Sequence, residues 1–298
     1  MRIQLKIDNI YIISWFGSRD NIELREYRKK IHQRQLEWCK QHALHPVILA
    51  QDYNDDEYDS EATYVKFDDS KLLLPGPARN ELLKLFYASD NEYGVFADND
   101  TILYQAPQHG DSATFIELLR SKTLNEFKNV DIIAALNPAQ TPFSSEISKD
   151  VYRTHLVFKL TYKFNGPMFF VKNFAKDNSV KIFFDGTNFE RNGSLVNGEE
   201  FDFCCSALMY GHSVYHTHQA IYNEMGRTKS TWASGNSVRT LKPAHEIINA
   251  KHGIKLFDIS KDRTKFNWSL IPNNKQLDKK ILICKVYNTT NEPQLIDW

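Results

Sequence analysis

This sequence is short of most features that would place a chain in a membrane or an oxidising compartment. No apolar run approaches the roughly 20 residues of a membrane span. Met1–Lys6 reads as the start of a strand and not as a signal peptide. Only 4 cysteines occur, without Cys-x-x-Cys spacing, and Cys204 and Cys205 are adjacent, so a disulfide framework or a zinc ribbon is excluded. A reduced, cytoplasmic protein with no membrane partner is expected. Net charge is absent too: Lys+Arg and Asp+Glu both number 37. That balance excludes a globally basic nucleic-acid coat and leaves room only for a local basic patch. There is no internal repeat and no low-complexity tract.

What is present is a chain of 298 residues, 42% hydrophobic and 13% aromatic, enough for a sizeable core. Its apolar runs are short and continuous. Ile10–Ser14, Pro46–Asp52, Tyr93–Ala97 and Val130–Leu136 read as buried strands, with a third strand over Thr63–Phe67. Between the first two lies a helical stretch beginning near Asp20-Asn21, which can cap it. Strand, helix, strand opens a parallel α/β sheet. The helix carries Arg25, Arg28, Lys29, Lys30, His32 and Arg34, expected as a solvated face or, alternatively, as a phosphate-contact surface. A second helix follows the turn Leu74–Asn80, and a third is expected over Phe115–Phe127. Segments 155–160 and 168–171 flank Asn165-Gly166-Pro167, which predicts an antiparallel pair.

The chemistry-bearing residues gather where strands end. Asp98 and Asp100 close the most apolar strand, and buried strands rarely carry paired Asp without a reason. At i and i+2 of an extended chain they project to one side and suit a hard divalent cation, Mg²⁺ or Mn²⁺. Asp52 ends another strand and Arg79 starts a helix, so both are expected at the same carboxyl edge, where open α/β sheets bind ligands. Further on, Glu199, Glu200 and Asp202 open a helix expected over 203–210. Glu199 suits the helix dipole, whereas Glu200 or Asp202 suits a base that deprotonates an acceptor hydroxyl. His212–His218 alternates as a strand, and His218 at its far end is a candidate third metal ligand, against the ordinary role of a packed histidine.

The order Ala78-Arg79-Asn80, Asp98-x-Asp100, Gly198-Glu199-Glu200-Phe201-Asp202 and the strand bearing His218 resembles the GT-A-fold glycosyltransferases that use nucleotide sugars. The resemblance spans roughly residues 8 to 225. It implies a Rossmann-like, mostly parallel central sheet flanked by helices, with an antiparallel excursion and a small C-terminal extension. The catalytic domain would be 1–225, with a nucleotide-sugar half over about 1–136 and an acceptor half over about 150–225. Residues 226–298 would pack on it as the extension. By resemblance, Asp98 and Asp100 would serve the metal and the sugar, and His218 would complete the metal site. Arg79 would meet the nucleotide sugar, most simply a UDP-sugar, and Ser14 and Asp52 would face the nucleoside. Glu200 or Asp202 would meet the acceptor. The departure is Glu-Glu-Phe-Asp where Glu-Asp is the usual motif, which leaves the base open between the two.

Within that fold, 181–202 and Ser230-Thr231-Trp232 through Glu246 are similar to phage enzymes that glycosylate hydroxymethylcytosine in DNA. That similarity implies double-stranded DNA as acceptor and a host-cytoplasm setting. Arg25 to Arg34, Arg227, Lys229, Arg239 and Lys242 would then be phosphate contacts, with Trp232 stacking on a base. The rival readings are a saccharide or lipopolysaccharide acceptor, a nucleotidyltransferase with the same paired Asp, and a non-catalytic sugar-nucleotide-binding module.

Overall fold

The first apolar run forms strand β1 (Asn9–Trp15), and helix α1 (Ile22–Gln41) follows it. The side chain of Asn21 accepts from the Leu24 amide at 3.1 Å and starts that helix. The coordinates, a computed structural model, describe residues 5–66, 72–103, 105–106, 110–111, 115–121, 127, 129–136, 155–162, 167–186, 189–191, 194–195, 198–226, 241–259, 264–271 and 281–285. After α1 come β2 (His45–Gln51), β3 (Thr63–Lys66), α2 (Pro75–Ala88), β4 (Tyr93–Asp98) and β5 (Thr101–Leu103). The chain continues through α3 (Phe115–Arg120), β6 (Ile132–Leu136), β7 (His155–Leu160) and β8 (Met168–Lys172). It then runs into α4 (Glu199–Met209), β9 (Val214–Glu224), α5 (Leu241–His252) and β10 (Ile281–Lys285).

The main sheet has 10 strands in the order β10-β7-β9-β6-β8-β4-β1-β2-β3, with β5 paired to β9. Strands β1 to β4, β6, β9 and β10 run one way, and β5, β7 and β8 run against them. The result is a mixed α/β fold whose central sheet is mostly parallel and flanked by helices. Separate two-stranded antiparallel ribbons, such as Phe257–Asp258 with Lys265–Phe266, lie outside the main sheet.

One expectation fails here. β7 and β8 do not pair with each other: β8 lies between β4 and β6, and β7 between β9 and β10. Met168–Val171 is wholly buried, and a strand apolar on both faces gains most at the sheet centre, whatever turn precedes it. Its Phe169 stacks on Phe96 of β4 at 5.2 Å and reaches Phe203 of α4 at 5.9 Å. Phe184 closes the set by stacking on Phe203 at 4.3 Å. Such offset ring pairs each add a fraction of a kcal/mol up to about 1.5 kcal/mol beyond area burial. They lock α4 to the strand that ends in Asp98. Among the described residues no helix is long and apolar enough to cross a membrane.

Candidate active site

The parallel registers bring the strand ends together. Ile13 of β1 is level with Asp98 of β4, and Trp15 with Gln51 of β2. Ser14, Asp52 and Asp98 therefore share one carboxyl edge. The N-termini of α2 and α4 bring Arg79, Glu199 and Glu200 to Asp98.

Arg79 joins these pieces. Its Nη2 donates to Asp98 Oδ1 at 2.9 Å and its Nη1 to Glu200 Oε1 at 3.3 Å, with Glu199 Oε1 at 4.0 Å. The guanidinium lies 5.5 Å above the Phe184 ring and 6.0 Å from Phe169, so the aromatic set forms its floor. Burial disfavours its charge, but the surrounding carboxylates outweigh that and hold its pKa above the ordinary value. Asp98 is pushed up from its ordinary value, chiefly by burial. Arg79 opposes that shift and the nearby Asp100 charge adds to it. A third of the Asp98 side chain and a quarter of that of Glu200 remain exposed.

Asp100 is placed differently from what spacing suggests. β4 ends at Asp98 and residues 99 and 100 form a turn, so the same-side rule for i and i+2 does not apply. Asp100 instead pairs with Arg28 Nη1 at 2.5 Å and accepts from the Thr101 hydroxyl at 3.2 Å. Gly226 closes over this pair, and a Cβ there would overlap Arg28 Nη1.

The basic face of α1 is accordingly neither solvated nor free for phosphates at its key positions. Arg25, Arg28 and His32 are buried, while Lys30 and Arg34 are exposed. Arg25 donates to Glu57 at 2.5 Å, to the Gly17 carbonyl at 2.6 Å and to the Asp52 carbonyl at 2.9 Å. A buried guanidinium persists only when paired and hydrogen-bonded. Positions 25, 28, 32 and 35, spaced 3, 4 and 3, form a polar stripe on the inward side of the helix. That spacing was the available signal, but it shows which residues share a face and not which face is covered.

The remaining candidates separate. Ser14 is buried, hydrogen-bonded to the Tyr53 hydroxyl and accepting from Asn99 Nδ2 at 2.9 Å. Asp52, with φ of 57°, pairs with Arg19 at 2.6 Å. Asp202 is fully buried, yet it faces α5, where Lys251 Nζ donates to its Oδ2 at 2.6 Å and His252 lies 3.7 Å away. Asp185 joins Lys251 at 3.3 Å. α4 begins at Glu199, earlier than expected, so all three carboxylates stand in its first turn. Its cap Gly198 has φ of 150°, and a Cβ there would overlap Ala244 of α5.

His212 is a packing residue, stacked on Phe174 at 4.0 Å and bonded to the Val180 carbonyl. The backbone of His218 lies in β9, but its ring is outside the described residues, as are Arg227, Lys229, Trp232 and Arg239. Lys242 is exposed at the start of α5. Helix α3 is seen to Arg120, and 122–126 also fall outside. Among the described residues no three His, Cys, Asp or Glu side chains gather as a metal site. Asp98 and Asp100, expected to face one cation, are divided between Arg79 and Arg28. A carboxylate suits a hard divalent cation, and a cation beside Asp98 would oppose the upward shift that burial chiefly imposes on it.

No family model matches this chain, and no curated protein matches it. Among solved structures it is similar to the crystal structure of GalNAc-T7 with UDP, GalNAc and Mn²⁺, at 9% identity and a TM-score of 0.45. That likeness covers 83% of this chain and 48% of the other, so the chain spans about half the length of that relative.

Proposed function

We propose that this chain is a glycosyltransferase that moves a sugar from a nucleoside diphosphate sugar, with UDP as the first nucleotide to try, to a hydroxyl. The observation that carries the reading is the Arg79 fork, which ties strand-end Asp98 to helix-start Glu200 at the open edge of a parallel sheet. Diphosphate is the group such an edge and such an arginine are suited to hold. Arg79 would then bind the donor, and Asp98 would orient it from the β4 end. Ser14 and Asp52 lie on the nucleoside side of the same edge.

Glu200 is the assigned base. Its carboxylate is partly open to solvent and within reach of the Asp98 side, whereas Asp202 is enclosed against Lys251. A base must reach the proton it takes, and a buried ion-paired carboxylate is poorly placed to do so. Asp98 would hold Mn²⁺ or Mg²⁺, with Asp100 joining it on release from Arg28 and His218 as the candidate third ligand. When bound, the metal would neutralise charge on the diphosphate as a Lewis acid. Hydroxymethylcytosine in duplex DNA is the acceptor named by the sequence similarity. Saccharide acceptors are the alternative, and the burial of Arg25 and Arg28 removes two of the DNA contacts.

The test is nucleoside diphosphate release from a panel of sugar nucleotides, with Mn²⁺ or with EDTA. Duplexes carrying cytosine or hydroxymethylcytosine, and saccharides, serve as acceptors. Release from one donor that is lost in Glu200→Gln is expected. Pyrophosphate as the product would make the chain a nucleotidyltransferase, and absence of both binding and turnover would overturn the reading.

A further inference from the structure

The four residues 98 to 101 join β4 to β5, and buried side chains of α1 hold them from one side. Gln35, with no exposed surface, sends its Nε2 to the Asp98 carbonyl at 2.6 Å and to the Thr101 carbonyl at 2.6 Å. One carboxamide nitrogen thus bridges the first and last residues of the turn. The reverse amide orientation would set Oε1 against two carbonyl oxygens, so the network defines the placement.

Gln35 Oε1 faces His32 Nδ1 at 3.1 Å, and the same Nδ1 lies 3.3 Å from the Asn99 carbonyl. A carbonyl only accepts, so Nδ1 carries the proton and Nε2 does not. Arg28, one turn earlier on the helix, holds the Asp100 carboxylate. Asn99 is tied to β1 through Ser14. Every residue of the turn is therefore fixed by a group outside it, three of them on one helix stripe.

We propose that Gln35, oriented by His32, is the positioning residue of this site. It sets where Asp98 and Asp100 stand relative to Arg79 and to the donor, and it touches no substrate itself. The inference rests on the donor-site reading given above for Asp98 and Asp100. It also extends that reading: donor geometry is set from the buried side of α1.

The other end of β4 supplies a matched control. Asn173 Nδ2 donates to the carbonyls of Phe86, Ser89 and Asn91 at 3.1, 3.2 and 3.1 Å. It is an equally buried amide clamp with no contact to the turn. Gln35→Met and Asn173→Leu each remove a clamp at nearly constant volume.

The experiment measures hydrogen exchange across 98–103 and UDP affinity in the full chain, with thermal unfolding to match the two variants. Gln35→Met is expected to speed exchange in 98–103 and weaken UDP by about tenfold or more. Asn173→Leu should lower the unfolding temperature comparably and leave both readouts at wild-type values. Unchanged exchange in Gln35→Met, or loosening by both variants alike, overturns the clamp. Faster exchange with UDP affinity within about twofold of wild type, a range too small for the outer-shell loss expected, overturns the positioning role. If wild type binds no UDP, the donor reading fails, and exchange at 98–103 alone still decides whether Gln35 holds the turn.

Discussion

Nη2 of Arg79 lies 2.9 Å from Oδ1 of Asp98, and the other arm of the same guanidinium reaches Glu200, 121 residues further along the chain. A planar fork with two arms can serve both carboxylates at once, and an ammonium cannot do so with the same geometry. Arg79→Lys is expected to remain folded and to lose most donor affinity, measured by UDP titration. Arg79→Met leaves the carboxylates uncompensated and should destabilise by about 2 kcal/mol, a value reduced for their partial exposure. Urea unfolding reads that difference.

Glu200 and Asp202 stand two residues apart and face different partners. Glu200→Gln is expected to lower turnover by about 10² or more while barely moving the unfolding midpoint. Asp202→Asn should do the reverse, costing stability because Lys251 loses its buried counter-charge. Lys251→Met should also destabilise, by about 3 kcal/mol, with a coupling to Asp202→Asn of about 1–3 kcal/mol in a double-mutant cycle. An inactive but fully stable Asp202→Asn, beside an active Glu200→Gln, would transfer the base role to Asp202.

His32 makes stability depend on pH. Burial lowers its pKa from 6.5 to about 4. Between those values the unfolded chain binds the proton and the folded one does not. Stability therefore rises with pH through this window and is lost as pH falls from 6.5 towards 4. The loss is on the order of 3 kcal/mol. His32→Asn removes the titrating group, so its urea midpoint should fall less than that of wild type between pH 7 and pH 4.

Gly226 has no room for a side chain, because Arg28 Nη1 and Asp100 Oδ2 occupy the space. Gly226→Ala is expected to part that ion pair, costing about 3 kcal/mol. UDP affinity should drop with it. Wild-type affinity in this variant would detach Asp100 from donor binding.

Much of the scaffold is legible from local pattern. Continuous apolar runs such as Ile10–Ser14 and Met168–Val171 become buried strands, and Asn21 caps the helix it precedes. The edge position of Asp52, Arg79 and Asp98 follows from strand-helix-strand order alone. What local pattern does not carry is choice of partner. The turn before β8 suggests a hairpin, but burial on both faces sends that strand between β4 and β6. Arg25, Arg28, His32 and Gln35 share a helix side by spacing. Only the docking of that side on Glu57 and the 98–101 turn makes it interior. The parting of Asp98 from Asp100 escapes for the same reason, since it depends on where the strand stops.

The place of β8 also bears on biosynthesis. β4 gains its second neighbour only from Met168–Lys172, whereas Asp98 and Arg79 are made about 70 and 90 residues earlier. A nascent chain that ends before β8 emerges carries an unpaired β4 edge, the kind of edge that invites association with other chains. The segment bearing Arg79 and Asp98 is thus complete as sequence well before its sheet can close, and its assembly waits on the ribosome reaching Met168–Lys172.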